Sequence, residues 1–377
     1  MSNAQLDYTA LWTAGAVLSA LLFLSMISYL IERFVISSPP YQGAVSDHFD
    51  GKKFFTPGAP PDASLGELLR WVTNRDEGEW LPARGADSVR QTVPERRVAD
   101  GATRIVFINH ATTLIQTEGV NILTDPVWAD VVGVFDRIGA RRVRPPGVAF
   151  DDLPPIDVVL VSHNHYDHCD IGSLQKLDAA FSPTFIVPLG VKALLVKHGV
   201  GAQANAQMGA QAGGRIVELD WEQETSVSGA PLRVHCVPAR HFSGRGVSDR
   251  NASLWCGFVI ENLQSGEAVY FAGDSGYGDH FKRIGERFPA IACALLPIGA
   301  FRPEWFMARV HISPKEAVQA HQDLRARFSL GIHFGAFPLA DDGENEPIEE
   351  LRRALDNAGL PRESFRAIDF GEYVEWR

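Results

Sequence analysis

Cysteine is scarce in this chain. Cys169, Cys236, Cys256 and Cys293 are its four cysteines among 377 residues, and no two share a paired spacing. That excludes a disulfide framework and a CxxC metal knuckle, and leaves reduced, buried thiols. Positive charge is also in short supply: 35 Lys and Arg face 46 Asp and Glu, for a net charge of −11. Nucleic-acid binding needs the opposite balance, so no nucleic-acid partner is expected. Low-complexity stretches and internal repeats are missing too, which sets aside fibrous and solenoid architectures. The length suits one large domain or two ordinary ones.

Charge is wholly missing from Tyr8 to Ile31, where Leu, Ala, Val, Ile and Phe dominate. As a helix these positions extend roughly 36 Å, enough to cross a bilayer with some tilt. Trp12 and Tyr29 lie near the two ends, where interfacial aromatics belong. A cleaved signal peptide would start basic and have a shorter apolar core. The expectation is a single-pass N-terminal membrane anchor over 8–31; a buried core helix is the plainer alternative. Lys and Arg are absent before the span, whereas Arg33, Lys52 and Lys53 follow it. That bias favours a cytoplasmic catalytic domain.

Residues 32–100 read as a connecting region that packs on the main domain. Ser37-Ser38-Pro39-Pro40 and Pro57-Gly58-Ala59-Pro60-Pro61 interrupt regular structure. Phe54-Phe55 between them can pack on the main domain. Ser64 and Glu67 form a capping box for a short helix over Leu65 to Val72. From 101 to 377 the pattern is that of one domain. Strands are expected at Arg104–Ile108, Thr113–Thr117, Val120–Thr124, Val158–Val161, Thr184–Val187, Arg233–Val237, Leu254–Ile260 and Ala268–Ala272. Helices are expected at Ile171–Leu177, Val191–Lys197 and Pro314–Arg327. Strands in bursts with helices between them predict an α/β (α+β) fold, two packed sheets with helices outside: an αββα sandwich.

One stretch carries chemistry. Val158-Val159-Leu160-Val161 stops at Ser162, and His163-Asn164-His165-Tyr166-Asp167-His168 follows. His163 and His165 are two apart and point the same way on an extended end. Asp167 and His168 can aim at a second point. Imidazole with carboxylate is the ligand chemistry of zinc and its first-row neighbours. Three later apolar runs each end in one residue of ligand type: His241, Asp274 and His333. Any one of them alone is an ordinary core or surface residue; in series with the first cluster they form a pattern.

These motifs resemble the metallo-β-lactamase superfamily, and within it the branch of phospholipases D that hydrolyse N-acyl-phosphatidylethanolamine. The resemblance runs from about Val106 to the C-terminus. The HxHxDH motif at 163–168 is common to the superfamily. More particular to the lipase-like branch are Glu218-Leu219-Asp220-Trp221, Pro297-Ile298-Gly299-Ala300 and Glu304-Trp305-Phe306-Met307. The resemblance implies two metal sites. His163, His165 and His241 would hold one ion, Asp167, His168 and His333 the other, and Asp274 would bridge them. Two Zn2+ ions are expected; Mn2+ and Fe2+ suit the same ligands. A homodimer is also implied.

Two such ions would share a hydroxide that attacks an electrophilic phosphorus or carbonyl, with Asp167 and Asp274 at the reacting centre. His311 is a candidate proton donor to the leaving alkoxide, or a packing residue. Asp125 is a candidate orienting partner for a ligand histidine, or a turn residue before Pro126. His110, which ends its strand, and Tyr166, inside the histidine motif, are further candidates to support the ligands or touch substrate. Arg245 is a candidate phosphate contact, or a solvated surface residue. Arg137, Arg141, Arg142 and Arg144 form a basic patch that could touch lipid head groups, with an exposed loop as the plainer reading.

The expected function is a membrane-anchored, dinuclear phosphodiesterase of phospholipase D type. It would convert N-acyl-phosphatidylethanolamine to N-acylethanolamine and phosphatidic acid, with phospholipid and membrane as partners. A lactonase or other hydrolase of a soluble ester, amide or sugar phosphate is the alternative within the superfamily, since fold and metals do not fix substrate. A non-catalytic membrane scaffold is the alternative outside it.

Overall fold

The computed structural model describes residues 8–99, 101–201 and 215–377; residue 100, the expected end of the connecting region, lies outside them. The described helices are α1 (Tyr8–Ile31), α2 (Leu65–Thr73), α3 (Ile171–Phe181), α4 (Val191–Lys197), α5 (His280–Arg287), α6 (Glu304–Met307), α7 (Pro314–Leu324) and α8 (Glu346–Ala358). The strands of the first sheet are β1 (Thr103–Asn109), β2 (Thr112–Thr117), β3 (Val120–Thr124), β6 (Val158–Leu160), β7 (Thr184–Pro188), β8 (Ile216–Leu219) and β16 (Tyr373–Trp376). Between β3 and β6 lies a separate hairpin, β4 (Val131–Val134) and β5 (Ile138–Arg141). The second sheet holds β9 (Glu224–Ser226), β10 (Leu232–Val237), β11 (Gly257–Asn262), β12 (Ala268–Phe271), β13 (Ile291–Pro297), β14 (Phe328–Ile332) and β15 (Phe365–Arg366).

The first sheet has the order β16-β1-β2-β3-β6-β7-β8, and the second the order β15-β14-β13-β12-β11-β10-β9. Side-chain alternation explains why both bury two faces. Ile105 and Phe107 of β1 join Val234, Phe258, Tyr270, Leu295 and Leu330 of the second sheet in one core. Val106 and Ile108, one residue out of step, join Leu174 and Leu177 of α3 and Leu194 and Leu195 of α4 in another. Helices α5, α7 and α8 cover the far side of the second sheet through Phe281, Val318 and Leu351. Strands sandwiched this way read as nearly continuous apolar runs. The result is the α/β sandwich expected from sequence.

Direction matters more than order for function. β3, β6 and β7 run parallel, and so do β12, β13 and β14. β11 reverses between β10 and β12, so β10 runs with β12. β2 likewise reverses between β1 and β3. The chain segments that leave their strands at one end of the sandwich therefore include those after β1, β3, β6, β10, β12 and β14. These segments carry His110, Asp125, His163, His241, Asp274 and His333. Loops beyond the carboxyl ends of parallel strands are the usual place for a ligand.

The connecting region is seated on the sandwich. Phe49 and Phe54 are buried against Ala239, Leu254 and Trp255, whereas Phe55 is 41% exposed. Of the expected Phe54-Phe55 pair, only the first enters a core. The Ser64–Glu67 capping box is present on α2. α1 is long and apolar enough to cross a membrane, and none of its described side chains is buried. The basic patch expected at 137–144 is not one surface. Arg142 is buried and donates to Asn109 Oδ1 and to the carbonyls of Val127 and Ala129, and Arg144 pairs with Asp369. Arg137 and Arg141 alone are exposed, because the chain turns Arg142 inward where the hairpin ends.

Candidate metal centre

The first group of nitrogens is tight. His163 Nε2 lies 2.8 Å from His165 Nδ1, and His241 Nε2 lies 3.2 Å from the same atom. Burial holds all three imidazoles neutral: the pKa values of His163 and His241 fall well below the ordinary value, and that of His165 falls to about 3. Three neutral imidazoles facing one point, His163 and His241 buried and His165 half-buried, form a donor set made for a cation.

The second group mixes charge. Asp167 Oδ2 stands 3.2 Å from His168 Nε2 and 3.4 Å from His333 Nε2. Asp274 Oδ2 lies 3.1 Å from His168 Nε2, 3.2 Å from His333 Nε2, 3.7 Å from His241 Nε2 and 4.0 Å from His163 Nε2. It sits between the two groups. Burial opposes charge on His333, yet Asp274 and Asp167 raise its pKa to about 9. Burial likewise opposes charge on His168, and the same carboxylates with Asp125 drive its pKa well up. Protons on these two rings stand where a cation would. His168 Nε2, His333 Nε2 and Asp274 Oδ1 are buried and make no hydrogen bond among the described residues. Buried polar atoms left unpaired are costly, so this donor set fits metal.

Outer contacts fix the rings. His168 Nδ1 meets Asp125 Oδ2 at 2.6 Å, His163 Nδ1 meets Ser162 Oγ at 2.9 Å, and His241 Nδ1 donates to the Val310 carbonyl at 2.8 Å. Asp125 also accepts from Ser162 N and Ser162 Oγ. His110 Nε2 meets Asp167 Oδ2 at 2.9 Å, and the His110 carbonyl accepts from His333 N. Such partners select the tautomer and the ring plane of a ligand. His110 and His333 have φ of 47° and 63°, a backbone region that side chains rarely adopt. Strain of this kind collects at functional sites. Gly273, with φ of 60°, is needed beside Asp274 because a Cβ there would stand 2.6 Å from Ser162 Cβ.

The remaining expected residues divide. His311 joins the centre, its Nδ1 3.8 Å from Asp274 Oδ2, and burial pushes its pKa down to about 4. Tyr166 lies beside the centre and donates to the Arg245 carbonyl. Arg245 braces the loop: its guanidinium donates to the carbonyls of Asn164 and Cys169 and covers the Tyr166 ring at 3.8 Å. Those bonds use Nη1 inside the protein, away from the phosphate contact considered for it. Sequence reasoning missed Ser162 and Asn164. Both lie within the histidine motif, and their position there was the available signal. It also missed Ser38, for which the local sequence holds none.

A cavity of about 760 Å³ opens beside His241. Leu65, Leu68, Trp71, Phe242 and Phe306 make much of its wall apolar. Arg250 and Arg309 also line it, held by Asp62 and Glu67.

Fold and site together define a metal-dependent hydrolase with metallo-β-lactamase architecture. Residues 120–334, more than half of the chain, match the family model described as a beta-lactamase superfamily domain. An N-acyl-phosphatidylethanolamine-hydrolyzing phospholipase D of Caenorhabditis elegans is 37% identical over 341 residues, covering 87% of this chain and 92% of that protein. A mitochondrial relative of the same description from Saccharomyces cerevisiae is 35% identical over 246 residues, covering 64% of this chain and 49% of that one. A metallo hydrolase of Ignicoccus hospitalis shares the fold, with a TM-score of 0.51 at 22% identity over 73% of this chain and 99% of that one. The chain thus belongs to the metallo-β-lactamase superfamily and stands close to its N-acyl-phosphatidylethanolamine-hydrolysing phospholipases D.

Proposed function

We propose that the protein is a membrane-anchored, dinuclear phosphodiesterase that hydrolyses N-acyl-phosphatidylethanolamine to N-acylethanolamine and phosphatidic acid. One observation carries the reading: Asp274 stands between two groups of ligand atoms, and an apolar cavity opens beside one of them. His163, His165 and His241 would hold one ion, and Asp167, His168 and His333 the other, with Asp274 shared. Zinc suits these ligands best. Bound, the ions supply a nucleophile from water at neutral pH and neutralise charge on phosphate oxygens.

The chain's own residues do the rest. His110 and Asp125 keep Asp167 and His168 aimed inward. The apolar wall suits an acyl chain, and the metal end of the cavity suits the phosphodiester. Water attacks phosphorus and gives up a proton, the bond to the ethanolamine-side oxygen breaks, and that oxygen leaves with the proton the water released. His311 is the imidazole positioned to steady the leaving oxygen through an N–H. α1 would cross the bilayer in which the substrate lies, with the catalytic domain on the cytoplasmic side.

Purified full-length protein is to be mixed with vesicles containing N-acyl-phosphatidylethanolamine, and products and bound metal measured by mass spectrometry. Matched release of N-acylethanolamine and phosphatidic acid, with about two metal equivalents per chain, is expected. Intact lipid alongside rapid turnover of soluble esters or lactones would overturn the substrate assignment.

A further inference from the structure

The segment after α1 is not a loose tether. Glu32 Oε1 accepts from Ser37 Oγ at 2.7 Å and from Ser248 N at 2.8 Å. Lys197 Nζ donates to the carbonyls of Val35 and Ser37 at 3.0 and 2.8 Å. Ser38 N donates to Asp249 Oδ2 at 2.7 Å, and Ser38 Oγ accepts from Asn164 Nδ2 at 2.9 Å. Ser37 and Ser38 are both buried. A flexible linker leaves its backbone to water; here five bonds from seven residues fasten the helix end to the catalytic domain.

Depth follows from this mount. A 24-residue helix is about 36 Å long, against a hydrocarbon core of about 30 Å. Glu32 therefore stands at head-group level, and so does the loop bonded to it. That loop carries Val247, 90% exposed. Phe34, on the helix end itself, is 66% exposed. The β4–β5 hairpin springs from beside the same loop: Ala129 N, just before β4, donates to Asp170 Oδ2 at 3.1 Å, and the adjoining Cys169 carbonyl accepts from Arg245 Nη1 at 2.9 Å. The hairpin exposes Phe135 by 57% and Ile138 by 71%. One exposed apolar side chain is ordinary; four around the exit point of an apolar helix form a patch with a purpose. Cations accompany it, as at a lipid surface: Arg33 on the helix end, Lys197 bonded to the Val35 and Ser37 carbonyls, and Arg137 and Arg141 on the hairpin.

We infer that loop 244–250 and the tip of the β4–β5 hairpin form a second lipid contact, seated in the head-group layer of the bilayer that α1 crosses. The inference rests on the membrane reading of α1 given above. Loop 244–250 also braces the metal loop, through Arg245 on the Asn164 and Cys169 carbonyls and Gly244 N on Asn164 Oδ1. The surface facing lipid is therefore the surface next to the candidate metal centre.

The test uses the full chain reconstituted in vesicles containing doxyl-labelled phosphatidylcholine. All four native cysteines are buried, so an introduced one labels selectively. Val247→Cys and Phe135→Cys receive an environment-sensitive fluorophore, and Asn357→Cys serves as reference. Asn357 lies in the last turn of α8, which leads from the ligand end of β14 to the start of its parallel neighbour β15, so it lies at the opposite end of the sandwich. Labels at 247 and 135 should be quenched and the label at 357 not. Protein that stays with the vesicles while all three labels behave alike overturns the inference and leaves the anchor standing. Protein that does not stay with the vesicles overturns the anchor reading and the inference with it. Labels shielded in detergent solution without lipid quenching would assign the patch to a second copy and also overturn it. The double variant Val247→Asp, Phe135→Asp should lower turnover of vesicle lipid about fivefold or more, with micellar lipid unaffected.

Discussion

Asn164 donates its side-chain amide to Ser38 Oγ across 126 positions of sequence, at 2.9 Å, with both residues buried. Its amide oxygen accepts from Gly244 N at 2.7 Å. Asn164 stands between His163 and His165, so the segment that follows α1 braces the metal loop directly. Ser38→Ala leaves a buried amide hydrogen unpaired, which costs about 1–3 kcal/mol. Denaturant unfolding should register that loss. Metal retention under chelator competition should weaken as well, and Ser38→Thr, which keeps the hydroxyl, should restore both. A Ser38→Ala protein that holds metal as the parent does would confine the bond to stability.

Asp125 contacts His168 at 2.6 Å and receives both the N–H and the hydroxyl of Ser162. Burial raises its carboxyl pKa while the bond to His168 pulls the other way. Asp125→Asn keeps the shape and removes the charge that makes His168 a strong donor. Metal affinity should fall about 10- to 100-fold, as for other outer partners of metal-bound histidine. Competition with a chromogenic chelator measures this, and an unchanged affinity would reduce Asp125 to a turn residue.

Legibility followed locality. The strand ends carrying His163, Asp274 and His333 stand out because an apolar run followed by a ligand is a local signal. The capping box at Ser64 is local too. Arg142 misled because a run of four nearby arginines looks solvated, while its burial depends on Asn109 and on the carbonyls of Val127 and Ala129. Arg245 read as a phosphate contact or a solvated surface residue because its carbonyl partners sit 76 and 81 positions away. β16, which pairs with β1 at the edge of the first sheet, joins opposite ends of the domain and leaves no sign in either segment alone.

His280 gives the fold an acid sensitivity separate from the candidate metal centre. It is buried, with Nε2 3.0 Å from Ser275 Oγ. Burial, with Arg283 and Arg240 nearby, pushes its pKa down to about 3. In the unfolded chain a histidine titrates near 6.5. Between these values the unfolded state binds a proton that the folded state refuses. Its contribution to stability is whole above about pH 6.5 and declines as pH falls toward about 3, by about 1.4 kcal/mol per pH unit. His280→Asn removes this dependence. Between pH 7 and pH 5 the variant should lose about 2 kcal/mol less unfolding free energy than the parent. Parallel losses in the two proteins would mean that His280 charges inside the fold.

Metal removal tests whether the centre contributes to the fold as well as to chemistry. Without a cation, His163, His165 and His241 face one another as neutral rings, and His168 and His333 keep protons against Asp167 and Asp274. The sandwich does not depend on these groups, because its apolar cores lie between the sheets and beneath α3 and α4. The chelated protein should therefore stay folded yet melt earlier. A ligand at one hundred times its dissociation constant adds about 2.7 kcal/mol to stability. Scanning calorimetry with and without chelator should show a loss of at least that order, reversed by zinc. Turnover should vanish on chelation and return with metal. Equal melting temperatures in the two states would argue that no ion is bound at the seven converging side chains.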